Sequence, residues 1–529
     1  MFKVFVADKL ASEGIAALQG YAQLEIDFSP GLDVEEALAH IADADAVIVR
    51  SETKIRGKLL AAASKLRVVG RAGIGVDNID LDAATERGIV VLNTPDANAT
   101  TTAELAIAHL FSLSRQLPEA DRTTRNGEWL RSKFMGSEVT GKTLGIVGFG
   151  TIGRLVAERA RGLKMHVLGF DPFVNPQTFE AHGVVRADLD TLLATSDYVT
   201  LHCPMTSDTR NLLSATRLRA MKKGARLINC ARGGLIDEEA LLEVITSGHL
   251  AGAALDVFAQ EPPGASPLFG HPRIQFTPHL GASTEEAQTA TGVEIAHQIA
   301  AFLLRDEIRN AVNLQSVPPE RLAQLEPYLQ LARRLGKLVG KMLDGPLQEI
   351  EVGLYGHAAE LDSQPLVAAV LAGLLQDHLD IPITRVNAAH LARRQGIKLS
   401  EVKSADVRDY LSVLRVTARD ESGSRCLEGT LFDGRHPRLV RVNDYALEAP
   451  LEGQLVFTRH ADQPGVIGTL GELLGREGIN ISRMQVGAAE GRDSAIGVLA
   501  VSHPLQATQL AAIASIPAVD KVLQVDFSH

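Results

Sequence analysis

Cysteine is scarce in the 529-residue sequence: Cys203, Cys230 and Cys426 are the three examples, and they are widely spaced. This spacing argues against a disulfide framework and against a cysteine-based zinc site, and is ordinary for a reducing cytosol. No uninterrupted apolar run is long enough to span a bilayer, and residues 1–6 open as a strand pattern without a basic and apolar leader. We therefore predict a cytoplasmic protein with no membrane segment and no metal site.

The sequence also has no excess of basic over acidic residues. The chain has 53 basic and 64 acidic residues, a net charge of −11, and no long basic block. A field of this sign does not favour nucleic acid, so no nucleic-acid partner is expected. Hydrophobic residues make up 45% of the chain, which is typical of globular proteins, and the length suggests about three or four domains.

The stretch TLGIVGFGTIGR, residues 143–154, reads as a strand, a glycine turn and a helix. In such a G-x-G-x-x-G pattern Gly148 permits the tight turn, Gly150 lets a pyrophosphate approach the backbone, and Gly153 lets helix and strand pack closely. The pattern alone is also compatible with a glycine-rich turn of no cofactor function.

The next predicted strand, MHVLGF, ends at Asp171, about twenty residues beyond the glycines. A carboxylate at this position accepts hydrogen bonds from an adenosine ribose and repels a 2′-phosphate. The predicted cofactor is therefore NAD rather than NADP.

Alternating strand and helix patterns predict an α/β protein with two Rossmann-like parallel-sheet domains. Residues 98–283 form the NAD-binding domain. Residues 1–97 and 284–314 together form the second Rossmann-like domain. The later segment is included because we expect the helix from Thr284 to Arg309 to pack back onto residues 1–97. Residues 315–320 read as a linker. An α+β domain of interaction or regulatory role follows to residue 450, and 451–529 has the ferredoxin-like order β-α-β-β-α-β.

Three polar residues lie at positions where their side chains are expected to contribute little to folding. Arg232 precedes two glycines at the end of a buried strand, Glu261 lies in the turn QEPP, and His279 lies in TPHLGAST. Separately, each has a structural interpretation as a sheet cap, a proline turn or a loop residue. Together they can perform acid-base chemistry, since a carboxylate stabilises an imidazolium and an arginine grips a substrate carboxylate.

Two further segments are open to more than one interpretation. Residues 121–135 read as a polar loop with Trp129, Arg131 and Lys133, either a solvated surface or an anion-binding element. His109 has apolar neighbours on a long predicted helix, which favours a packed core histidine over a catalytic one.

The segments NCARGGLIDEEAL, EPP, PHLGAST, GFGTIGR and RAGIGVDN closely resemble the D-isomer-specific 2-hydroxyacid dehydrogenases. The segment HADQPGVIGTLGELLGREGINI resembles an ACT domain. With the added length, this points to the long-form members that oxidise 3-phospho-D-glycerate to 3-phosphohydroxypyruvate in the first step of L-serine synthesis. The fold implied is two Rossmann-like domains, an intervening domain and an ACT domain.

The resemblance also implies residue roles. His279 would accept the C2 hydroxyl proton, Glu261 would orient His279, Arg232 would hold the substrate, and Asp256 would accept from the nicotinamide carboxamide. Eight residues would line the cofactor: Ile74, Thr151, Ile152, Cys203, Cys230, Ala231, Gly281 and Ala282. Six would contact the substrate phosphate and carboxylate: Arg50, Gly73, Gly75, Asn98, Arg131 and Lys133.

For the terminal domain, the resemblance implies that Asp462 and Asn480 bind L-serine across an interface between two ACT domains of a homo-oligomer, expected to be a tetramer. The local alternatives are that Asp462 caps a helix and Asn480 follows the Gly478 turn. Two other functions stay open: a hydroxypyruvate or glyoxylate reductase, and a non-enzymatic NAD-sensing binding protein on the same fold.

Overall fold

The computed structural model describes residues 1–314, 319–376, 383–406, 409–489 and 491–528, with the side chains of 319–323 also left out. Within these ranges, no helix combines the length and the apolar character that crossing a membrane requires. The linker predicted at 315–320 lies mostly outside the described residues.

The first parallel sheet is built from the N-terminal part of the chain. Its elements are β1 (Phe2–Val6), α1 (Ser12–Gln19), β2 (Leu24–Phe28), α2 (Val34–Ala42), β3 (Ala46–Val49), α3 (Gly57–Ala62), β4 (Val68–Arg71), α4 (Leu81–Glu86) and β5 (Val90–Leu92). The strand order is β2-β1-β3-β4-β5 and every pairing is parallel. Strand β2 escaped prediction because it is an edge strand whose side chains are mostly solvent-accessible.

The second parallel sheet carries the glycine loop. Its elements are α5 (Ala99–Arg115), α6 (Leu117–Arg125), β6 (Thr143–Val147), α7 (Thr151–Gly162), β7 (His166–Phe170), α8 (Pro176–Ala181), β8 (Val185–Arg186), α9 (Leu189–Thr195), β9 (Tyr198–Leu201), α10 (Ala215–Ala220), β10 (Arg226–Asn229), α11 (Glu238–Thr246), β11 (Gly252–Leu255) and β12 (Ile274–Phe276). The order is β12-β11-β10-β9-β6-β7-β8. Strand order reverses between β9 and β6, which opens a ligand crevice at the carboxyl ends of the strands.

Part of the predicted loop at 121–135 is helical, because α6 extends to Arg125 before a short 3-10 turn at Arg131–Lys133. Ion pairs spaced three and four residues apart, Arg122 with Glu119 and Arg125 with Asp121, support this helix. These pairs explain why a polar segment folds as a helix.

Helix α12 (Glu285–Arg305) returns to the first sheet, as predicted. It packs against α1, and Ile295 and Ile299 lie against Gly70 of β4. Thr284 caps its first turn by accepting a hydrogen bond from the Ala287 amide at 3.2 Å. The helix ends at Arg305, earlier than the predicted Arg309, because Asp306 adopts a left-handed backbone conformation with φ 55°.

The next unit is a six-stranded mixed sheet with helices packed on it. It consists of α13 (Pro319–Met342), β13 (Glu349–Gly356), α14 (Ser363–Leu375), α15 (Ala388–Arg394), β14 (Lys398–Ser404), β15 (Ser412–Asp420), β16 (Gly423–Phe432), β17 (His436–Val442) and β18 (Tyr445–Pro450). The order is β14-β13-β15-β16-β17-β18. The segment RLVRVNDYAL, residues 438–447, has the apolar pattern of a single strand but forms a hairpin instead, because Asn443 turns the chain with φ 51°.

The last unit contains β19 (Gly453–Ala461), α16 (Val466–Arg476), β20 (Ile481–Ala488), β21 (Ser494–Val501), α17 (Ala507–Ala514) and β22 (Val519–Phe527). Its antiparallel order β20-β21-β19-β22 confirms the ferredoxin-like prediction. Leu455, Phe457, Val498 and Phe527 join the same hydrophobic core as helix α13. The last two units therefore share one core.

Candidate active site

Each glycine of the loop after β6 has a distinct environment. A Cβ atom at Gly148, where φ is 93°, would lie 2.6 Å from the carbonyl oxygen of His202, and one at Gly153 would lie 2.2 Å from the carbonyl oxygen of Gly148. Both positions therefore require glycine. Gly150 has no described heavy atom within 4 Å of its Cβ position, so this side of the loop is open to a phosphate.

Asp171 lies at the end of β7 beside this loop. Its Oδ2 accepts a hydrogen bond from the amide of Phe149 at 2.8 Å, and its Oδ1 accepts one from the amide of Phe173 at 2.9 Å. These bonds hold the carboxylate at the edge where a ribose would lie. The position of Asp171 after β7, beside the glycine loop, is the one expected of a carboxylate that binds a ribose, and its role in NAD selection stays a prediction.

His279 and Glu261 form a hydrogen-bonded pair. His279 Nδ1 lies 2.7 Å from Glu261 Oε2, and Glu261 Oε1 accepts a hydrogen bond from the amide of Phe258 at 3.1 Å. The hydrogen bond to Glu261 raises the pKa of His279 above its ordinary value. Burial would raise the pKa of Glu261, but the hydrogen bonds from His279 and Phe258 outweigh it, and that pKa is lowered. A proton is therefore favoured on the histidine, and Nε2 is the ring nitrogen left to exchange one with a substrate.

Asp256 organises the turn that carries this histidine. It is fully buried at the end of β11, and it accepts hydrogen bonds from the Thr277 hydroxyl at 2.6 Å, the Leu280 amide at 2.7 Å and the Gly281 amide at 2.9 Å. Thr277 also contacts His109 Nε2 at 3.1 Å. His109 is buried and burial lowers its pKa, in agreement with a packed core histidine.

Arg232 faces the other sheet across the crevice. Its Nε donates to Asp77 Oδ2 at 3.0 Å and its Nη1 donates to the carbonyl of Ala231 at 2.6 Å. A Cβ atom at Gly75 would lie 1.8 Å from Arg232 Nη2. The absence of a side chain at Gly75 therefore leaves the space into which the guanidinium of the other sheet extends.

Arg71, at the end of β4, is a site residue that the sequence analysis missed. Its pKa is lowered to about 10, first by burial and then by the positive charges of Arg232 and Arg50. Its buried Nε has no hydrogen-bond partner among the described residues. A Cβ at Gly73 would lie 1.4 Å from Arg71 Nη1. The available signal was the motif RAGIG, in which an arginine at a strand end precedes glycines, as Arg232 does.

These elements enclose a cleft of about 710 Å³ between the two parallel sheets. Predicted site residues line much of it: Ile74, Gly75, Asn98, Ile152, Cys203, Cys230, Ala231, Arg232, His279, Gly281 and Ala282. The Oδ1 atom of Asn98 is buried and lacks a hydrogen-bond partner among the described residues. An orphaned acceptor in a cleft that also offers an open glycine loop fits a bound dinucleotide and substrate.

Comparisons with known proteins agree with this geometry. Residues 107–281 match the D-isomer specific 2-hydroxyacid dehydrogenase, NAD binding domain, and residues 324–443 match the D-3-phosphoglycerate dehydrogenase intervening domain. The chain is 43% identical to a D-3-phosphoglycerate dehydrogenase of Synechocystis, over 96% of this chain and 91% of the relative. It is 38% identical to one of Methanocaldococcus jannaschii, over 99% of this chain and 100% of the relative.

The chain belongs to the D-isomer-specific 2-hydroxyacid dehydrogenase family. It is an NAD-dependent oxidoreductase that acts on D-2-hydroxy acids. A solved NAD-dependent formate dehydrogenase from Staphylococcus aureus in complex with NAD is similar to it, with a TM-score of 0.53 and 28% identity over 60% of this chain and 100% of that chain. In this dehydrogenase the glycine loop and Asp171 are the residues that would hold the dinucleotide.

Not all predicted substrate contacts meet at the cleft of a single chain. Arg131 and Lys133 lie in the exposed 3-10 turn after α6 and do not line the cleft, and Lys133 Nζ is 3.5 Å from Glu119 Oε1. Arg50 is close enough to Arg71 to lower its pKa, and its backbone amide donates to the buried Asp8 at 2.6 Å. Their contacts with substrate stay predictions.

The cysteines of the cleft are unreactive thiols. Burial raises the pKa of Cys203 to about 11 and also raises the pKa of Cys230. Neither is a thiolate near neutral pH, so both serve as small lining residues. Across the part of the chain that the structure describes, no group of three or more histidine, cysteine, aspartate or glutamate residues could hold a metal ion.

Asp462 and Asn480 are both exposed but lie at opposite ends of α16. The Asp462 amide bonds the carbonyl of Asp493 before β21, whereas the Asn480 carbonyl accepts from the amide of Ser502 after it. Eight residues of β21 separate these ends by about 26 Å. Gly465, not Asp462, is the residue that precedes the first turn of α16, so Asp462 is not its cap.

Proposed function

We propose that this dehydrogenase oxidises 3-phospho-D-glycerate to 3-phosphohydroxypyruvate. The observation that carries the proposal is the concentration of positive charge at the His279–Glu261 pair: Arg232 lies close enough to act on the pair, and Arg232 and Arg50 both lie close enough to act on Arg71. A substrate with a carboxylate at one end and a phosphate at the other neutralises such a cluster. The relatives named as D-3-phosphoglycerate dehydrogenases support the same substrate.

The reaction removes one hydrogen from carbon C2 of the substrate and one from the hydroxyl oxygen that C2 carries. NAD, when bound, supplies an acceptor for the hydride that leaves carbon C2. His279 accepts the proton of the C2 hydroxyl at Nε2, because Nδ1 is held by Glu261. The carboxylate of Glu261 stabilises the imidazolium that results. The C2–H and O–H bonds break while the C2–O bond becomes a carbonyl, and the proton then leaves to solvent.

Each arginine has a separate task in this proposal. Arg232 binds the C1 carboxylate and the C2 oxygen, since it lies next to the catalytic turn and its Nε and Nη1 are already oriented by Asp77 and Ala231. Arg71 and Arg50 receive the phosphate, with Asn98 and the backbone amides of Gly73 and Gly75 nearby. Burial of Arg71 strengthens its attraction to an anion, because water does not screen it.

The polypeptide divides into four domains in our proposal. Residues 1–97 with 284–314 bind substrate, 98–283 bind NAD, 315–450 form an intervening domain and 451–529 form an ACT domain. The strand orders of the four sheets support this division.

We also propose a cytoplasmic homo-oligomer, a tetramer. An apolar surface supports it: Leu117, Trp129 and Met135 expose 52%, 78% and 83% of their areas around the turn that carries Arg131 and Lys133. A partner subunit seated on this surface would bring Arg131 and Lys133 to a cleft that they do not reach in their own chain.

Regulation by L-serine, the end product of the pathway that this reaction begins, completes the proposal. Asp462 and Asn480 lie too far apart in one ACT domain to contact the same amino acid. Two ACT domains packed with opposite polarity would place Asp462 of one beside Asn480 of the other. L-serine would then bind at that interface.

The test is NAD reduction by the purified protein with 3-phospho-D-glycerate, with D-glycerate as the unphosphorylated control. We expect kcat/KM to be at least about a hundredfold higher with the phosphate, the size of a lost charged hydrogen bond. Equal turnover of both acids, or faster reduction of glyoxylate or hydroxypyruvate with NADH, contradicts the substrate assignment and favours the reductase alternative. No turnover of any of these acids would favour an NAD-sensing binding protein.

A further inference from the structure

Glu86, the last residue of α4, joins the N-terminal sheet to the intervening domain. Arg394 Nη1 lies 2.7 Å from Glu86 Oε1, and His390 Nε2 lies 3.4 Å from the same atom. Asn387 Nδ2 donates to the backbone carbonyl of Glu86 at 3.2 Å. We call these three residues of α15 and its preceding turn, together with Glu86, the clasp.

The clasp is a closely packed junction. Asn387 is fully buried, and its Oδ1 accepts a hydrogen bond from the amide of Thr384 at 2.7 Å. A Cβ atom at Gly88 would lie 2.7 Å from Thr384 Oγ1. Beside it, Arg385 Nη2 pairs with Asp306 Oδ2 at 2.9 Å. Backbone and buried side chains of both units are therefore in direct contact, which fixes the C-terminal end of α4.

The opposite end of the same helix forms a wall of the catalytic cleft. Asp80 caps α4 by accepting from the amide of Ala83 at 3.0 Å, and Asp80, Leu81 and Asp82 line the cleft. Asp77, just before the cap, accepts the hydrogen bond from Arg232 Nε. The six residues of α4 span only about 9 Å, so the clasp and the cleft wall are the two ends of one short rigid element.

The intervening domain is in turn continuous with the ACT domain. The two share one hydrophobic core, and Lys337 of α13 donates to the backbone carbonyl of Asp526 in β22 at 2.6 Å. A displacement of this joint unit relative to the N-terminal sheet would act directly on the clasp.

We infer that Glu86 is a positioning residue for substrate binding: held by Arg394 and Asn387, with His390 beside it, it fixes α4 and, through Asp77, the orientation of Arg232. Glu86 touches neither substrate nor cofactor. The clasp thereby couples the placement of the intervening domain to the affinity for the substrate carboxylate. The glycine loop that would hold NAD lies in the other sheet and contains none of the clasp residues, so we expect cofactor affinity to change less than substrate affinity.

The test compares steady-state kinetics of the full-length chain carrying Arg394→Glu with those of the wild type. The change puts two negative charges together at the clasp. We expect KM for 3-phospho-D-glycerate to rise on the order of threefold to tenfold, with kcat and KM for NAD changed less than about twofold. Arg393→Glu is the matched control, because Arg393 is exposed on the same helix and the structure gives its side chain no described partner. It should behave as wild type.

A double variant with exchanged charges shows whether the Glu86–Arg394 ion pair is responsible for the change in KM. The exchange Glu86→Arg with Arg394→Glu restores opposite charges, and we expect it to return KM to within about twofold of wild type, as in a double-mutant cycle. An unchanged KM in Arg394→Glu, an equal rise in Arg393→Glu, or a double variant no better than the single ones each overturns the inference. Should Arg394→Glu fail to fold by circular dichroism, Glu86→Gln carries the same test, and an unchanged KM there overturns the inference.

This inference rests on the proposed function for its substrate, and the two fail differently. A wild-type protein that does not oxidise 3-phospho-D-glycerate contradicts the proposed function. The kinetics are then measured with the D-2-hydroxy acid that the wild type does oxidise, whose carboxylate also needs Arg232. A wild-type protein that is active while its clasp variants keep the wild-type KM contradicts only the clasp.

Discussion

His279 Nδ1 lies 2.7 Å from Glu261 Oε2. The two residues follow different strands, Glu261 after β11 and His279 after β12. Glu261 is held by the amide of Phe258, just after β11, and the backbone amide of His279 bonds the carbonyl of Asp256 at 2.9 Å. The pair therefore has a fixed geometry before any substrate binds, which reduces the cost of orienting the base.

The first prediction concerns the base itself. Replacing His279 by Ala should lower kcat by about a thousandfold, because the variant lacks the imidazole that accepts the hydroxyl proton. NADH binding, followed by its fluorescence, should be within about twofold of wild type, since the dinucleotide loop is formed by other residues. Retention of most of the turnover would show that the base is elsewhere.

The second prediction concerns pH. Oxidation needs neutral His279, so kcat/KM for oxidation should rise with pH through a pKa above the ordinary value of about 6.5, while reduction with NADH should fall over the same range. In Glu261→Gln the hydrogen bond to a carboxylate is lost, so the pKa of His279 should decrease and the acid limb should move to lower pH. A pH profile that stays in place in this variant would contradict the role of Glu261.

Arg71 provides the third prediction. Arg71→Met should raise KM for 3-phospho-D-glycerate by about tenfold to a hundredfold, because a charged hydrogen bond to the phosphate is lost. KM for D-glycerate should change by less than about threefold. Arg131→Ala should show the same pattern if its turn reaches a partner's cleft. Equal effects on the two acids would exclude a phosphate role for the residue tested.

Cofactor choice is the fourth prediction. Asp171→Ala removes the acceptor for the ribose hydroxyls and the charge that repels a 2′-phosphate. We expect kcat/KM with NAD to fall by about tenfold or more and the preference for NAD over NADP to narrow by at least as much. The ratio of kcat/KM with NAD to kcat/KM with NADP measures this preference directly. An unchanged ratio would mean that another residue selects the cofactor.

The fifth prediction concerns the terminal domain. L-serine at millimolar concentration should inhibit the wild type, and Asp462→Ala or Asn480→Ala should each weaken the inhibition by about tenfold or more, because each supplies one side of the same site. Glu472→Gln is the control, since its side chain pairs only with Arg476 of the same helix among the described residues. If L-serine does not inhibit the wild type, the regulatory role is contradicted, and residues 451–529 would serve only in subunit assembly.

Much of the fold could be read from local patterns. The strand, glycine turn and helix at 143–162 were predictable because Gly148 and Gly153 are required by backbone contacts with a neighbouring strand end and within the turn itself. The order of strands and helices in both parallel sheets and in the last, ferredoxin-like unit followed from hydrophobic periodicity. Elements with weak periodicity were missed or misread: the exposed edge strand β2, the polar helix α6, and the hairpin of β17 and β18.

The candidate site also combines residues that local patterns predicted with residues that they did not. Arg232, Glu261 and His279 were predicted because each is a polar residue expected to contribute little to folding, in a segment that follows a strand, and parallel sheets bring such segments to one edge. Arg71 escaped because its importance lies in its proximity to Arg232 and Arg50, which are distant in the chain. The placement of Arg131 and Lys133 outside the cleft, and of Asp462 and Asn480 at opposite ends of a helix, likewise depends on how elements pack.

By itself the sequence determined the family and the cofactor of this dehydrogenase and predicted its catalytic residues, because these depend on short motifs whose chemistry is local. Only the tertiary structure decided which positive charges face one another across the cleft, and that α4 connects Arg232 with the intervening domain through Asp77 and Glu86. These relationships arise from contacts between residues far apart in the chain, which no pattern of neighbouring residues encodes.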